Sequence, residues 1–388
     1  MTVRPSWNDD EIEAVRDLAA AYFTKEVGPN AEKHVAQGHP DRALYRRAGE
    51  LGLLGMSLPE AYGGGGGSFA HEAALIEEQA RAGDTTMGFA VDVGIVAHYV
   101  NAYATEDQKQ RWLPKICSGE WVASIAMTEP GTGSDLQAIT TRAVKDASTG
   151  SGQAEYVING SKTFISNGHL CSLLIIAAKT GEEAGAAGIS LIVAEVDDET
   201  PGFQRGRILD KMGQKGQDTA ELFFDDLRVP TANLLGPEEG KGFYQMMEQL
   251  PQERLITGLI AQAAIEAAVE MTVTYTKDRQ AFGKPLFALQ NTRFELAECE
   301  TISRVNRAFL DQCIVKHIDG KLDATEASMA KYWISDRATE VADRCLQLFG
   351  GYGYMNEYPI AHIYADVRVL RILAGANEVM KELIARSL

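Results

Sequence analysis

The strongest constraint on the fold is that the period of the apolar residues changes twice along the chain. From Asp9 to about Gly119 the apolar residues recur three and four positions apart, which predicts amphipathic helices. From about Ile125 to Leu235 short apolar runs are separated by turn residues, which predicts the strands of an antiparallel sheet. From Gly242 onward the helical spacing returns. The pattern therefore predicts an α+β fold built from three consecutive blocks.

The last block contains three long helical segments. Glu253–Tyr275, Thr292–His317 and Thr325–Leu348 contain no proline, and their apolar residues follow the 3.6-residue period. Segments of this length are typical of an antiparallel helical bundle.

The length of the chain fits this division. With 388 residues, a prior of about 150 residues per domain gives two to three domains. We predict an N-terminal helical domain at residues 1–124, a β domain at 125–236 and a helical bundle at 237–388.

One dipeptide in the middle block indicates a hairpin. Asn159-Gly160 stands between the apolar runs Tyr156–Ile158 and Lys162–Ile165. Asn-Gly between such runs is the strongest short-range hairpin signal. The sequence therefore predicts two strands joined by a two-residue turn at this point.

The charge balance excludes several classes of protein. Aspartate and glutamate number 54 against 37 lysines and arginines, which gives a net charge of −17. This disfavours a nucleic-acid binder and a polybasic membrane-surface protein, because both need basic surfaces. The unbroken apolar runs, such as Leu173–Ala178, are far shorter than the roughly 18 residues of a membrane span. We predict no nucleic-acid partner and no stable membrane insertion.

The cysteines and the first residues bear on location. The five cysteines are scattered and form no C-x-x-C pair, so we predict reduced packing residues and no metal site. The N-terminal residues show neither the apolar core of a secretory signal nor an acid-poor transit peptide. Together these features predict a cytoplasmic protein.

The segment Ala126–Asp135 joins the first two blocks and has the composition of a ligand loop. Thr128 and Ser134 offer hydroxyl groups, and Gly131 and Gly133 allow backbone N–H groups to approach a ligand. An ordinary domain-joining turn explains the same residues, and the residues alone favour that interpretation.

Several motifs in a fixed order give the chain a wider resemblance. From about Asp9 to Leu388 it resembles the acyl-CoA dehydrogenases, which have a helical N-terminal domain, a β middle domain and a C-terminal four-helix bundle. The motifs that carry the resemblance are AMTEPGTGSD (126–135), NGSKTFISNG (159–168), KMGQKGQDTAELFFDDLRVP (211–230), PQERL (251–255), RQAFGKPLFALQ (279–290), QLFGGYGY (347–354) and GANEVMKELIAR (375–386).

The resemblance implies that the protein is an FAD-binding flavoprotein. It implies that one segment contacts the flavin ring, that a second shields the ring and reaches its N5 atom, and that a third binds the pyrophosphate and adenosine from a neighbouring subunit. The implied positions are Ile125, Ala126, Met127, Thr128, Gly133 and Ser134 in the first, Phe164, Ile165 and Ser166 in the second, Arg279, Phe282, Gln290, Gln347, Leu348, Gly350 and Gly351 in the third, with Ala376 and Glu378 also near the flavin. An FAD completed across an interface implies an obligate oligomer, and the family is usually tetrameric, so we expect a homotetramer.

The catalytic base implied by the resemblance is Glu253. Many members of the family use a glutamate where this chain has Ala374, and alanine cannot abstract a proton. The long-chain and isovaleryl branches instead use a glutamate at the start of the first bundle helix, where Glu253 stands in PQERL. Taken alone, Glu253 would be a first-turn carboxylate that stabilises a helix. The vacant position favours the catalytic role.

The implied reaction is the α,β-dehydrogenation of an acyl-CoA thioester to the trans-2-enoyl-CoA, as in fatty-acid β-oxidation. Glu253 would remove the α-proton while the β-hydrogen leaves as hydride to the flavin, and an electron-transferring flavoprotein would then take the electrons. A backbone N–H at Ala374 would stabilise the charge on the thioester oxygen. The implied substrate contacts are Ser134, Tyr244, Glu253, Arg254, Ala374 and Gly375.

Substrate and class alternatives stay open at this point. The resemblance to the long-chain branch implies a medium-to-long or branched acyl chain. The alternatives are an acyl-CoA oxidase or another flavoenzyme of the same fold, and a catalytically silent subunit of a mixed oligomer. Asp92 lies in a segment, Phe89–Val96, that is expected to wall the acyl pocket. We expect it to face solvent, or else to touch a functionalised acyl tail.

Overall fold

The N-terminal part of the structure is helical. The structure is a computed structural model that describes residues 5–147, 154–181, 183 and 185–388. The helices of this part are α1 (Asp10–Tyr22), α2 (Ala31–Gln37), α3 (Arg42–Glu50), α4 (Phe69–Arg81), α5 (Phe89–Val91), α6 (Ala97–Tyr103) and α7 (Glu106–Cys117), and a π-helical segment, Asp92–Val96, joins α5 to α6.

Local capping sets where several of these helices begin. The Asp9 carboxylate accepts hydrogen bonds from the backbone N–H groups of Glu11 and Ile12 at the start of α1. At α7, Thr105 and Gln108 form a reciprocal capping box. Such caps satisfy N–H groups that have no partner inside the helix.

The middle of the chain forms one mixed sheet. Its strands are β1 (Ala123–Ala126), β2 (Arg142–Asp146), β3 (Glu155–Ser166), β4 (Leu173–Lys179), β5 (Ile189–Glu195), β6 (Phe203–Ile208) and β7 (Thr219–Pro230). They lie in the order β1-β4-β2-β3-β7-β6, and β5 pairs with β4. The prediction of a wholly antiparallel sheet is wrong, because β4 runs parallel to both β1 and β2.

The predicted hairpin at Asn159-Gly160 is also wrong. Both apolar runs belong to the single strand β3, and its register against β7 shifts at this point. The Asn159 side chain donates to the Asp226 carboxylate and accepts from the Asp226 N–H, both at 2.9 Å. Asp226 has a φ of 54°, so the left-handed residue belongs to β7. The dipeptide therefore faces a β-bulge in the neighbouring strand.

The C-terminal part consists of long helices. Its elements are α8 (Gly242–Asp278), the short strands β8 (Gln280–Ala281) and β9 (Lys284–Pro285), α9 (Gln290–Ile318), α10 (Ala324–Phe349), α11 (Pro359–Asp366) and α12 (Asn377–Ala385). Helices α8, α9 and α10 pack on one another, and α11 and α12 pack on α10. Helix α8 begins earlier than predicted and runs through Pro251.

By length and composition alone, helix α8 is long and apolar enough to cross a membrane. Helix α8 has an 18-residue window with a mean hydropathy of 1.4, and 67% of that window is buried inside the fold. Burial of this kind is what a core helix of a folded domain shows.

Strand β4 joins two hydrophobic cores because its side chains alternate between the faces of the sheet. Leu173 and Ile175 pack with the N-terminal helices. Leu174 and Ile176 pack with the other strands. The strand has buried apolar residues on both faces, which explains its unbroken apolar run.

Asp92 is buried, so the expectation that it faces solvent is wrong. Its Oδ1 atom accepts a hydrogen bond from the Ala123 backbone N–H at 2.7 Å, and its Oδ2 atom is buried with no partner among the described residues. Burial raises the pKa of Asp92 to about 8. The contact ties the π-helical segment to the first residue of β1.

We expect Asp92→Asn to change the pH dependence of stability. Because burial raises the pKa of Asp92 from 3.8 to about 8, the folded wild-type protein loses stability as the pH rises through this window. The amide can still accept from Ala123 and cannot ionise. Between pH 5 and pH 8 the free energy of unfolding should therefore fall in the wild type relative to the variant. The difference should change by at most about 1.4 kcal/mol per pH unit. Thermal unfolding at both pH values measures this, and a pH-independent difference would contradict it.

Candidate functional site

The structure brings the first two predicted flavin segments together. The Thr163 N–H donates to the Thr128 carbonyl at 3.0 Å, and the Ser124 hydroxyl donates to the Ser166 carbonyl at 2.6 Å. Phe164 has a φ of 60° and is 67% exposed, whereas Ile165 is buried. The two segments thus form one surface that presents an aromatic face beside a hydroxyl- and glycine-containing loop.

A buried ion pair that the sequence did not reveal supports this surface. Lys162 Nζ lies 3.0 Å from Glu129 Oε1 and donates to the Met127 carbonyl at 2.9 Å. Burial by itself would raise the pKa of Glu129. The charge of Lys162 and hydrogen bonds from Thr141 and Thr140 outweigh this effect and lower the pKa to about 2. Burial lowers the pKa of Lys162 to about 8, and Glu129 opposes this shift. The pair fixes the backbone of the loop at Met127.

The end of this loop is open to solvent. Glu129 and Thr132 exchange backbone hydrogen bonds across a tight turn. Gly133 and Ser134 follow that turn and are exposed, while Ile125 and Met127 are half-buried and Ala126 is buried in the sheet.

The third predicted segment forms a separate groove. Arg279, Gln347, Leu348, Gly350 and Gly351 line a cavity of about 580 Å³ together with Tyr275, Leu286, Phe349, Tyr352 and Met355. The Arg279 guanidinium lies 5.4 Å from the centre of the Tyr352 ring. No residue of the Phe164 surface lines this groove within the described part of the chain. The aromatic lining residues Tyr275, Phe349 and Tyr352 were not predicted from the sequence.

Two residues assigned to this segment lie outside the groove lining. Phe282 is at the turn between β8 and β9, with a φ of 52° and a side chain that is 92% exposed. Gln290 is the exposed first residue of α9.

Glu253 is buried in the interior face of α8. Its Oε1 atom accepts a hydrogen bond from the Tyr99 hydroxyl at 2.8 Å. Burial raises the pKa of Glu253 to about 7, while the Tyr99 hydrogen bond and the charge of Arg254 oppose the rise. A carboxyl group that titrates near neutral pH is suited to accept a proton from a weak carbon acid.

Nothing in the sequence indicated that Tyr99 would contact this carboxyl group. It lies in an apolar helix, where a tyrosine is typical of a core. The sequence did not indicate the buried roles of Lys162 and Lys331 either, because lysine is usually exposed. The residues that these two lysines contact are distant from them in the chain.

Helix α10 links Arg254 to the turn at Ala374. The Arg254 guanidinium donates to the Ser328 hydroxyl at 3.2 Å. One turn later on α10, the fully buried Lys331 donates to the Gly375 carbonyl at 2.7 Å and to the Asn377 side chain at 2.8 Å. Burial and the charge of Arg254 lower the pKa of Lys331 to about 8.

The turn itself has an unusual backbone. Ala374 has a φ of 52° and Gly375 a φ of 91°, both in the left-handed region. The φ of 91° favours glycine at position 375, because a residue with a Cβ is strained in this conformation. The N–H of Ala374 is paired with no residue that the structure describes.

The remaining predicted contact residues lie at the starts of two helices. Tyr244 is in the first turn of α8 and is 52% exposed. Ala376 is the residue before α12, and Glu378 is exposed in the first turn of that helix. The structure thus supplies a buried acid at Glu253, a left-handed backbone turn at Ala374 and an exposed aromatic side chain at Phe164. Among the described residues, no cluster of three or more potential metal ligands is found.

Comparisons with known proteins cover almost the whole chain. Three family descriptions match: the N-terminal domain of acyl-CoA dehydrogenase at residues 9–120, its middle domain at 124–227 and its C-terminal domain at 240–388. The long-chain specific acyl-CoA dehydrogenase of Rattus norvegicus is 45% identical over 380 residues, which are 97% of this chain and 86% of the rat protein.

Solved structures give the same result. An acyl-CoA dehydrogenase from Geobacillus kaustophilus has a TM-score of 0.94 and 45% identity, and covers 99% of both chains. A chain in a structure described as the electron transferring flavoprotein of Acidaminococcus fermentans has a TM-score of 0.91 and 34% identity, and covers 98% of both. An acyl-CoA dehydrogenase complexed with FAD from Bacillus anthracis has a TM-score of 0.90 and 29% identity, over 98% of this chain and 66% of that one.

We expect Glu129→Gln to destabilise the protein by about 3–5 kcal/mol, because it leaves the buried Lys162 ammonium without its counter-charge. The double variant Glu129→Gln/Lys162→Met should lose clearly less than the sum of the two single variants, since the charge is then absent. Denaturant unfolding of the four proteins measures the coupling. Additive losses would show that the ion pair contributes nothing.

Proposed function

The chain belongs to the acyl-CoA dehydrogenase family, and from that premise we propose how its own residues dehydrogenate an acyl-CoA thioester. Members of the family are oxidoreductases of acyl-CoA catabolism, and the long-chain relative matches over nearly the full length. The observation that carries the residue assignment is Glu253, a buried carboxyl group held by Tyr99.

Glu253 is the proposed base. Burial raises its pKa to about 7, so the carboxylate becomes basic enough to take the α-proton of a thioester while remaining largely ionised above pH 7. The alternative glutamate position is occupied by Ala374, which has no proton acceptor. A first-turn helix cap is not its role, because α8 begins eleven residues earlier, at Gly242.

The turn at Ala374 is the proposed site for the thioester oxygen. Charge develops on this oxygen as the α-proton leaves, and a backbone N–H aimed at it stabilises that charge. Lys331 holds the Gly375 carbonyl and the Asn377 side chain, which fixes the turn in its left-handed conformation. The side chain at position 374 can be small because the backbone N–H, and not the side chain, stabilises the thioester oxygen.

FAD fits the residues present. The exposed Phe164 ring beside the Met127–Thr128 loop suits a flat aromatic ring, and Arg279 in its groove suits a pyrophosphate. When bound, FAD supplies the acceptor for the hydrogen and electron pair that leave the β-carbon. Phe164, Ile165 and Ser166 would hold its ring, and Arg279 with the Gln347–Gly351 turn would hold its other end.

The separation of these two surfaces supports an oligomer. Among the residues that the structure describes, the Arg279 groove shares no lining residue with the Phe164 surface, so the groove would serve the FAD of another subunit. Large side chains near it are exposed, such as Phe282 at 92% and Tyr354 at 82%. We propose that these residues are covered in a homotetramer.

A cavity beside α8 suits a long acyl chain. It has a volume of about 500 Å³ and is lined in part by Ile260, Ala264 and Met271 of α8 and by Met87 and Ala90. Ile260 lies two turns beyond Glu253 on the same stripe of α8, about 10 Å along the helix. A medium-to-long or branched acyl chain with its α-carbon at Glu253 would extend toward this cavity.

The reaction also needs an acceptor for the electrons, and the cysteines bear on the compartment in which the protein works. The reduced cofactor must pass two electrons on, and an electron-transferring flavoprotein is the proposed acceptor. All five cysteines are buried free thiols, which suits a reducing compartment such as the cytoplasm.

We expect Glu253→Gln to lower the rate of dehydrogenation at least about 10³-fold without loss of bound FAD, because the amide cannot accept the α-proton. Anaerobic bleaching of the flavin absorbance by acyl-CoAs measures the step, and Glu248→Gln on the exposed face of α8 is the control. Full turnover in Glu253→Gln would refute the assignment. Peroxide formed in air at the rate of turnover would instead identify an oxidase.

We expect Ala264→Phe to shift the chain-length preference toward short acyl-CoAs, because the larger ring fills the cavity beside α8. Turnover of long-chain substrates should fall at least about tenfold, while that of butyryl-CoA changes little. Measuring kcat/KM over a series of chain lengths tests this, with butyryl-CoA as the internal control. A uniform fall at every length would contradict the placement of the chain.

A further inference from the structure

Tyr99 is the one side chain whose hydrogen bond reaches the Glu253 carboxyl group among the described residues. The hydroxyl donates to Oε1 at 2.8 Å, and the tyrosine is fully buried. No described residue donates a hydrogen bond to Oε2. This oxygen is nevertheless not one of the fully buried polar atoms that lack a partner, so it retains some accessible surface. The two oxygens of the carboxyl group therefore have different environments.

The position of Tyr99 depends on the π-helical segment that precedes α6. A π-helical turn inserts an extra residue, which rotates the following side chains by about 100° relative to a continuous α-helix. Helix α8 meets this segment closely: Gln252 Nε2 donates to the Gly94 carbonyl at 2.7 Å, and a Cβ at Gly94 would lie 3.0 Å from the Ile256 side chain. Gln252 and Ile256 flank Glu253, so this contact sets where the carboxyl group meets Tyr99.

We propose that Tyr99 is the positioning residue of the base: its hydroxyl holds Oε1 of Glu253 and leaves Oε2 to take the α-proton. This inference rests on the proposed role of Glu253. The step it supports transfers the α-proton from carbon to Oε2, while the electron pair of the broken C–H bond forms the new double bond. The β-hydrogen leaves with its own electron pair, for which bound FAD would be the acceptor.

Tyr99 remains a donor throughout the working pH range. Burial and the charge of Glu253 raise the pKa of Tyr99 well above its ordinary value. Its ring packs edge-on against Tyr103, with the centres 6.1 Å apart. Because the hydroxyl stays protonated, it stabilises the carboxylate form of Glu253 and opposes the rise in its pKa that burial causes.

The other ionisable groups around Glu253 come from several elements. On α8 itself Arg254 lowers the pKa of Glu253. On α10, the charge of Arg254 lowers the pKa of Lys331. On α9, His317 contacts Gln252. On α6, His98 pairs with Glu72 of α4 at 2.8 Å, and Asp92 lies in the π-helical segment. Besides burial, the described groups that shift the pKa of Glu253 are Tyr99 and Arg254, so removal of the Tyr99 hydroxyl should raise this pKa directly.

The test compares Tyr99→Phe with Tyr103→Phe. Both variants lose one hydroxyl from α6, but Tyr103 donates to Glu248 and not to the base. For Tyr99→Phe we expect the acid limb of the kcat/KM profile to move up by about one pH unit, since a hydrogen bond to a charged group is lost. This gives about a tenfold loss at pH 6 that shrinks toward pH 9. For Tyr103→Phe the limb should stay in place.

Two further measurements separate this inference from the proposed function. FAD content should match the wild type in both variants, and in a Glu253→Gln background Tyr99→Phe should add no further loss of activity. If Glu253→Gln is inactive and the Tyr99→Phe profile superimposes on the wild type, the positioning role is wrong and the base stands. If Glu253→Gln turns over normally, the base itself is wrong.

Discussion

Burial of one face of α8 is the constraint on which the rest of the structure depends. The helix packs against α4, α9 and α10 and meets the π-helical segment at Gly94. Since the acid Glu253 lies on this face, the fold must bury a carboxyl group, which raises its pKa. The same packing that stabilises the bundle therefore creates the reactivity of the proposed base, and Tyr99 and Arg254 limit how far the pKa rises.

The polar contacts of the interior have a common function: they hold backbone segments in place. Lys162 holds the Met127 carbonyl, Lys331 holds the Gly375 carbonyl, and Asp92 holds the Ala123 N–H. Each of these segments leads directly into the proposed flavin or substrate surface. Because backbone at the ends of strands and in turns has few partners of its own, buried ionisable side chains supply the hydrogen bonds that secondary structure does not.

The predictions from the sequence that the structure contradicts failed for specific physical reasons. Asn159-Gly160 has the chemistry of a turn, but the same chemistry suits a strand opposite a bulge, and only the pairing with β7 distinguishes the two. Asp92 reads as a surface residue because a lone carboxylate is rarely buried. It is accommodated because β1 begins beside it and offers an N–H. Neither β1 nor β7 is near these residues in sequence.

The sequence by itself determined the three-block order, the helical and strand periods and the membership of the family, because these depend on local spacing and on motifs of contiguous residues. It also indicated Glu253, by leaving alanine at the alternative position. Only the tertiary structure decided the partners: Tyr99 for Glu253, Glu129 for Lys162 and Gly375 for Lys331. Such contacts join residues far apart in the chain, and the burial that shifts their pKa values exists only once the helices and the sheet have packed together.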